Sequence, residues 1–457
     1  MRNPAVETSR LRPAGALLIG AVLLLAQLPL ILNPGYLSHD ELEWAARADV
    51  GWSALPWVAW LDPSPLQYRP LTFNLWLVLA HVFAPAPKLM HLVFVLLGIA
   101  NACLLARLLA QAGVRERVAQ AAALVFALTP YAVYTHGWTG TLGDILTLAF
   151  GLLAAHCLQR AAIDTDRTRL VAYVAASALL IVAALLSKES AIVLPALLAL
   201  VMYRERSRRS IRAGIALSAA IVVAYLLLRW PSLADSSQTD PAYAWSLRRV
   251  PARLAEYLLY PFVPPLFEIS PLLSKSLPRL AAAAGCVALL LSALATAGWR
   301  WPTVWLAAWC AALAPVLVLA TSYNHYAYLA SATAVAICAA AWPLLRHPAR
   351  IAMAALSAIV MLHGVIVMTR LHGVGVIQHH LYDDLLAELR SASTPLRIVP
   401  TDARDAWLPG RLLRGVDACR GVRFEGRVQF GDASHVQPGE RLLWMNRDGH
   451  LRADARP

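Results

Sequence analysis

The sequence predicts an all-α polytopic membrane protein of about eleven transmembrane helices, of the kind that closes with a small C-terminal α+β domain. Three observations predict it. Of 457 residues, 59% are hydrophobic and only 15% are charged, and the mean hydropathy is +0.56, which leaves too little polar surface to cover a soluble globule of this size. Apolar stretches such as Ala14 to Leu32, Val118 to Val133 and Ile351 to Met368 recur between Arg, Pro or polar clusters, and most approach the roughly 20 residues that cross a hydrocarbon core. The connections between these stretches alternate in basic charge.

That alternation sets an orientation. With the N-terminus cytoplasmic, Arg107, Arg115 and Arg117 follow the second span, Arg160, Arg167 and Arg169 the fourth, Arg204, Arg206, Arg208, Arg209 and Arg212 the sixth, and Arg346 and Arg350 the tenth. These loops fit the positive-inside rule. The opposite connections are residues 33–87, residues 231–278 and the turns near His136, Lys188 and Tyr323. They carry few basic residues apart from Arg248, Arg249 and Arg253, and are expected to face outward. Arg2, Arg10 and Arg12 precede a first apolar run that is long for a secretory signal, and Asn33-Pro34-Gly35 follows without a small-x-small cleavage site, so an uncleaved signal anchor is expected. Basic inner loops and an Arg/Ala-rich composition suit a bacterial inner (cytoplasmic) membrane.

The net charge of +13 does not point to nucleic acid, because the Arg residues fall in short clusters between apolar segments instead of one basic face interleaved with aromatics. Of six cysteines, Cys103, Cys157, Cys286, Cys310 and Cys338 lie inside apolar segments and Cys419 alone in a polar one. That arrangement gives neither a disulfide framework nor a CxxC metal site.

The first outward segment contains Leu71 to Ala84, too short to span without tilt or thinning and expected as an interfacial helix, with Trp52, Trp57, Trp60 and Tyr68 at headgroup level. From about Leu371 the chain becomes charged and Gly/Pro-punctuated, with short apolar runs at Leu396 to Val399 and Arg441 to Met445. The expected division is a transmembrane domain, 1–370, and a C-terminal domain on the outer side, 371–457.

Candidate chemistry gathers in the outward segments. Ser38-His39-Asp40-Glu41 follows the first span, with Glu43 and Arg47 after it; a helix over 40–49 capped by Ser38 would align Asp40, Glu43 and Arg47 on one face. A carboxylate there could act as a general base toward a hydroxyl or bind a cation, or the acidic turn could simply complement the helix dipole. Pro70 suits the first turn of the interfacial helix, which puts Arg69 at its edge, either as a phosphate ligand or as a snorkelling anchor. Asp144 begins the fourth span, and Lys188-Glu189 interrupts the apolar stretch Ile181 to Leu200. Intramembrane charges are costly, so Asp144 is either functional or close enough to the end of the span to reach water, and Lys188 and Glu189 are either a structural pair or offer an ammonium to an anionic headgroup. In Tyr323-Asn324-His325-Tyr326 the His is either a hydrogen-bonded structural group or a site residue. Histidines with the spacing of a zinc site are absent, as are a P-loop, a GxSxG elbow and HExxH.

Taken in order, these motifs resemble the GT-C superfamily of membrane glycosyltransferases, which use polyprenyl-phosphate sugars as donors. The closest pattern is that of bacterial relatives of the protein O-mannosyltransferases and of the transmembrane-and-tetratricopeptide mannosyltransferases, over Ala14 to about Leu345. The matching features are the acidic pair Asp40-Glu41, the segment Tyr68-Arg69-Pro70-Leu71 followed by His91, and, most specific, LLSKESAIVLP from Leu185 to Pro195. The segments Trp138 to Asp144 and His325 to Leu329 match more weakly: the family often carries Arg before its Asp, where this chain has Leu142-Gly143-Asp144, and Arg in place of His325. The tetratricopeptide repeats are absent.

The resemblance implies an inverting, GT-C type membrane glycosyltransferase that moves a sugar from a polyprenyl-phosphate donor to an envelope glycan, lipid or protein acceptor, with membrane lipid around it and no nucleic acid among its partners. It implies Asp40 as the base toward the acceptor hydroxyl with Glu41 assisting. Arg69 stands where related aminoarabinose transferases carry a basic residue near the lipid phosphate, and Arg69 and Lys188 would by the same logic stabilise the departing phosphate. His39, Asp144, Glu189 and His325 are the candidates for a further substrate site or a divalent cation, the one cofactor left open. Two readings from other classes share the helices and basic headgroup sites: a transporter or flippase for a lipid-linked glycan, and a non-catalytic membrane assembly protein.

Overall fold

The structure is a computed structural model and describes residues 13–234, 244–391, 394–402, 406–413, 416, 418–419, 422–431 and 437–453. The basic N-terminal run of Arg2, Arg10 and Arg12 lies outside the described residues, as do the side chains of Arg204 and Cys419.

The chain enters through α1 (Pro13–Ala26) and the single turn α2 (Leu28–Ile31), then crosses the first loop with α3 (His39–Ala48) and α4 (Pro70–Phe83). Pro70 sits in the first turn of α4, where a missing N–H costs nothing, and Arg69 is its N-cap residue, as the sequence predicts. The bundle continues with α5 (Pro87–Gln111), α6 (Glu116–Ala127), α7 (Pro130–Gly137), α8 (Leu142–Ile163), α9 (Arg167–Ser187), α10 (Leu194–Val201) and α11 (Arg209–Ala234). After α12 (Val250–Leu259) in the second long loop come α13 (Leu277–Ala295), α14 (Arg300–Leu317), α15 (Tyr328–Ala341) and α16 (His347–Ser391).

Seven helical segments among the described residues are long and apolar enough to cross a membrane, and eight when α6 and α7 count as one bent span. The bend of 60° has a local cause: Pro130 cannot donate to the helical ladder, and Thr129 Oγ1 instead accepts the Ala132 N–H at 3.1 Å and restarts the helix. Three more apolar segments, α1, residues 189–201 and α14, are shorter or less apolar than the rest. The protein is an integral membrane protein of mostly helical build, with strands confined to its C-terminal part.

The helix α16 organises the molecule. At 45 residues it is about 67 Å long, roughly twice the thickness of a hydrocarbon core, so it runs through residue 370 and out of the bundle without a break. Two glycines let it pass close to other backbone. A Cβ on Gly364 would stand 1.9 Å from the Leu128 carbonyl oxygen at the α6–α7 bend, and one on Gly375 would meet the Asn33 amide. Asn33 Nδ2 donates to the Leu371 carbonyl at 3.3 Å, and Gln378 Oε1 accepts the Tyr36 N–H at 3.0 Å. The start of the first loop is thus strapped to α16.

Beyond the bundle, β1 (Leu396–Pro400), β4 (Val428–Phe430), β5 (Arg441–Met445) and β6 (Leu451–Arg452) form one sheet in the order β4-β1-β5-β6, with β1 parallel to both neighbours. The helix α17 (Trp407–Leu413) and the short hairpin β2 (Ala418–Cys419) and β3 (Val422–Arg423) lie between β1 and β4 in sequence. The two short apolar runs of the C-terminal segment form β1 and β5, paired in register Leu396 with Arg441. At the β5–β6 turn Gly449 has φ of +94°, and a Cβ there would stand 2.2 Å from the Ile377 carbonyl, so this turn needs glycine both for its backbone and for its seat on α16.

The close crossing at Gly364 gives a test. Gly364→Ala is expected to destabilise the protein by about 1–3 kcal/mol, read as a lower unfolding temperature in detergent. Gly373→Ala, on the same helix with nothing within 4 Å of the added carbon, is expected to leave that temperature unchanged.

Candidate active site

The first loop brings its carboxylates to one end of the bundle through a helix cap. Ser38 has extended backbone and α3 begins at His39, one residue earlier than the sequence suggested. Glu41 reaches back so that its Oε2 accepts the N–H groups of Leu37 at 2.6 Å and Ser38 at 2.9 Å, the reciprocal half of a capping box. Its Oε1 accepts the Thr139 N–H at 2.9 Å and the Thr139 hydroxyl at 2.6 Å. Glu41 is 1% exposed, and burial pushes its carboxyl up to about 7 although four donors pull the other way. With both oxygens occupied, it fastens α3 to the turn between α7 and α8.

Asp40 is placed differently. Its side chain is 46% exposed, with His39 Nε2 at 3.3 Å, while His39 Nδ1 donates to the Arg411 carbonyl at 3.0 Å. The row expected from Asp40, Glu43 and Arg47 is divided: Glu43 and Arg47 pair with each other one turn further on.

The remaining candidates converge where α4, α8 and the α9–α10 connection meet. Lys188 adopts extended backbone after α9, and its Nζ donates to Asp144 Oδ2 at 2.5 Å, with both side chains less than one tenth exposed. Arg69 Nε donates to Glu189 Oε2 at 2.8 Å. The two pairs lie together: the charges of Lys188, Arg69 and Glu189 all act on Asp144. Two contacts set this geometry. Thr72 Oγ1 donates to the Ser187 carbonyl at 2.8 Å, and a Cβ on Gly143 would stand 2.9 Å from that same oxygen, so only glycine lets α8 approach.

Buried His325 lies over the same cluster. Its ring meets Trp138 edge-on at 5.0 Å and Tyr326 at 4.5 Å, Tyr326 in turn lies 5.0 Å from Lys188 Nζ, and both Lys188 and Arg69 act on it electrostatically. Trp138 Nε1 donates to Ser38 Oγ at 3.2 Å, which joins this group to the start of α3. Asn324 is a structural neighbour, its amide spent on Ile269, Tyr260 and Phe267. His91 is structural too: it is fully buried, and its Nε2 donates to the Gly35 carbonyl at 2.9 Å.

Several participants escape sequence reasoning. Arg229, completely buried near the end of α11, donates to the carbonyls of Pro63 and Leu66 and lies over the Tyr68 ring at 5.5 Å, holding the loop that leads to Arg69. Its signal in the sequence is a cation at the edge of an apolar run, which reads equally as a membrane anchor. Trp138 and Thr139 lie in a segment that the sequence marks only for Asp144, and Arg411 lies in a segment with no recognisable motif. Among the described residues no three His, Cys, Asp or Glu side chains converge as a metal-ligand set, and Asp144 and Glu189 are both engaged by cations.

A largely apolar cavity of about 360 Å³ lies in the bundle, lined by none of these charged residues. It runs from Tyr131 and Pro261 past Trp305 and Trp309 to Arg117, and along α15 from Ser331 onward.

The path of the whole chain matches a solved structure, ArnT from Cupriavidus metallidurans bound to undecaprenyl phosphate, with a TM-score of 0.52, 13% identity, and 92% of this chain and 86% of that chain covered. The chain shares the fold of that ArnT structure. No protein-family model and no curated protein matches the sequence. The likeness is therefore one of three-dimensional fold, and the Asp40-Glu41, Tyr68 to Leu71 and Leu185 to Pro195 segments lie within the length it covers.

The state of Glu41 is testable. With a folded value of about 7 against an ordinary 4.5, the folded chain holds more protons than the unfolded one between those limits. The group's contribution to stability is then complete below about 4.5 and is lost as pH rises through about 7. The unfolding temperature of wild type relative to Glu41→Gln should fall between pH 5 and pH 8; a difference that stays constant over that range would contradict the assignment.

Proposed function

We propose that this chain is an inverting glycosyltransferase that moves one sugar from a polyprenyl-phosphate carrier to an envelope glycan, lipid or protein acceptor on the periplasmic side of a bacterial inner membrane. The observation that carries the proposal is the paired cluster Arg69–Glu189 and Lys188–Asp144, linked through His325, Trp138 and Ser38 to the helix that bears a half-exposed carboxylate, Asp40. Undecaprenyl phosphate, the molecule bound to the ArnT of the comparison, has the chemistry such a cluster suits.

In this proposal the phosphate takes up donors of Arg69 and Lys188, which loosen their hold on Glu189 and Asp144 as it binds. Charge-assisted hydrogen bonds to phosphate are strong, and Arg offers a planar fork to it. Two buried polar atoms already lack partners among the described residues, Glu189 Oε1 and His325 Nδ1, which supports a ligand at this place. The apolar cavity is the proposed seat of the polyprenyl chain.

The chemistry then follows from charge. The acceptor hydroxyl oxygen attacks the anomeric carbon, its proton passes to the Asp40 carboxylate, and the bond to the phosphate oxygen breaks. Negative charge grows on the departing polyprenyl phosphate, where Arg69 and Lys188 stabilise it. Attack opposite the leaving group inverts the anomeric centre. Glu41, with both oxygens already accepting two hydrogen bonds each, acts by holding α3 in place rather than by taking the proton.

The test is mass spectrometry of envelope glycolipids, polysaccharide and glycoproteins in a deletion strain complemented at equal expression. Wild type is expected to restore one sugar mass to one glycan, while Asp40→Asn and Arg69→Ala restore it at least about 100-fold less, in line with the loss of a general base or of charge stabilisation. Full restoration by Asp40→Asn would overturn catalysis at that carboxylate and favour transport or assembly.

A further inference from the structure

Arg411 joins the C-terminal domain to the proposed catalytic loop. Arg411, on α17, spreads its guanidinium over three separate elements: Nε donates to the Leu37 carbonyl at 3.1 Å, one terminal nitrogen to Glu268 Oε1 at 2.6 Å, and the other to the Tyr134 hydroxyl at 3.1 Å. Tyr134 also donates to Glu268 Oε1 at 3.0 Å, which closes the ring of contacts. The Arg411 main chain takes part as well, since its carbonyl accepts from His39 Nδ1 at 3.0 Å. The guanidinium stem lies over the Trp407 ring at 5.6 Å, and the side chain is 20% exposed.

Leu37 and His39 bracket Ser38, the N-cap of the helix that bears Asp40. The backbone of Leu37 is gripped from one side by Glu41, which also holds the Ser38 N–H, and from the other by Arg411, whose carbonyl in turn holds the His39 ring. A first helical turn held at both flanks cannot rotate about its cap, and the direction of Asp40 is fixed by that turn. We infer that Arg411 is a positioning residue for Asp40, and that the C-terminal domain serves catalysis by delivering this guanidinium to the first loop. The inference rests on the proposed transferase function.

The choice of Arg is part of the case. Its planar fork presents donors in three directions at once, whereas a Lys ammonium on a flexible stem satisfies one or two of the three acceptors without fixing their relative position. Loss of the cation leaves Glu268 beside Tyr134 without its ion pair and the Leu37 carbonyl without its donor. A shift of about 1 Å in a catalytic group costs on the order of 100-fold in rate. Binding of the lipid phosphate should be spared, because Arg69 and Lys188 are set by Thr72, Ser187 and Gly143, which are not among the Leu37, Glu268, Tyr134 and His39 partners of Arg411.

The experiment uses the full-length chain. Initial rates of sugar addition are measured in membranes of the complemented deletion strain, and undecaprenyl phosphate binding is measured on the purified protein. The variants are Arg411→Gln, Arg411→Lys and Glu268→Gln, with Asp40→Asn as control. Arg411→Gln is expected to lower the rate at least about 10-fold with affinity for undecaprenyl phosphate within about twofold of wild type, and Arg411→Lys and Glu268→Gln to fall between. An unchanged rate in Arg411→Gln, with Asp40→Asn inactive, would overturn this inference and leave the transferase reading standing. A parallel fall of rate and lipid affinity would overturn it too, as the mark of general disruption of this end of the molecule. Activity retained in Asp40→Asn would instead remove the transferase reading, and this one with it.

Discussion

Two ion pairs held at the edge of an apolar bundle are the constraint on which the rest of the structure depends. Removing Lys188 and Asp144 from water costs several kcal/mol per ion, and their attraction offsets this only when geometry is good and the surroundings are polar. The chain meets that demand with a glycine at 143, a hydroxyl at Thr72 and an extended residue after α9, so that two carboxylates and two cations interleave. An apolar filling of the same volume would be at least as stable. Retaining four charges there makes physical sense if a charged group of the substrate exchanges with them.

The same economy governs the first loop. A segment of irregular backbone rich in Pro and Trp is held by groups contributed from distant parts of the chain: Gln378 of α16, Arg229 of α11, Thr139 after α7 and Arg411 of α17. Each grips main-chain atoms, directly or through Glu41, and none covers Asp40. The result is a rigid frame around an accessible carboxylate, which is what general-base chemistry on an incoming hydroxyl requires. The long helix α16 links this frame to the C-terminal sheet, seated on it through Gly449 and through the contact of His380 with Asp448.

Much of this was legible in the sequence, for identifiable reasons. Apolar length and the alternation of Arg clusters locate the helices because lipid tolerates few exceptions. Pro70 announced the start of α4, and the lone charges at Asp144 and Lys188 announced a site because an unpaired charge in such a place is prohibitive. Pairing itself was not legible: nothing in the spacing couples residue 69 to 189 or 144 to 188, since those contacts depend on how the helices pack. Glu41 looked like a partner in chemistry and is spent on hydrogen bonds, because adjacent residues on a helix point to different surroundings. Arg411 and Thr139 carry no motif, and only the fold brings them to the first loop.

The central claim is that Arg69 and Lys188 receive a lipid phosphate. The most direct measurement is an experimental structure of the full-length protein with undecaprenyl phosphate added. The account predicts phosphate oxygens within about 3 Å of the Arg69 guanidinium and the Lys188 ammonium, with the Arg69–Glu189 and Lys188–Asp144 pairs lengthened or broken. A phosphate bound elsewhere, with both pairs intact, would contradict it.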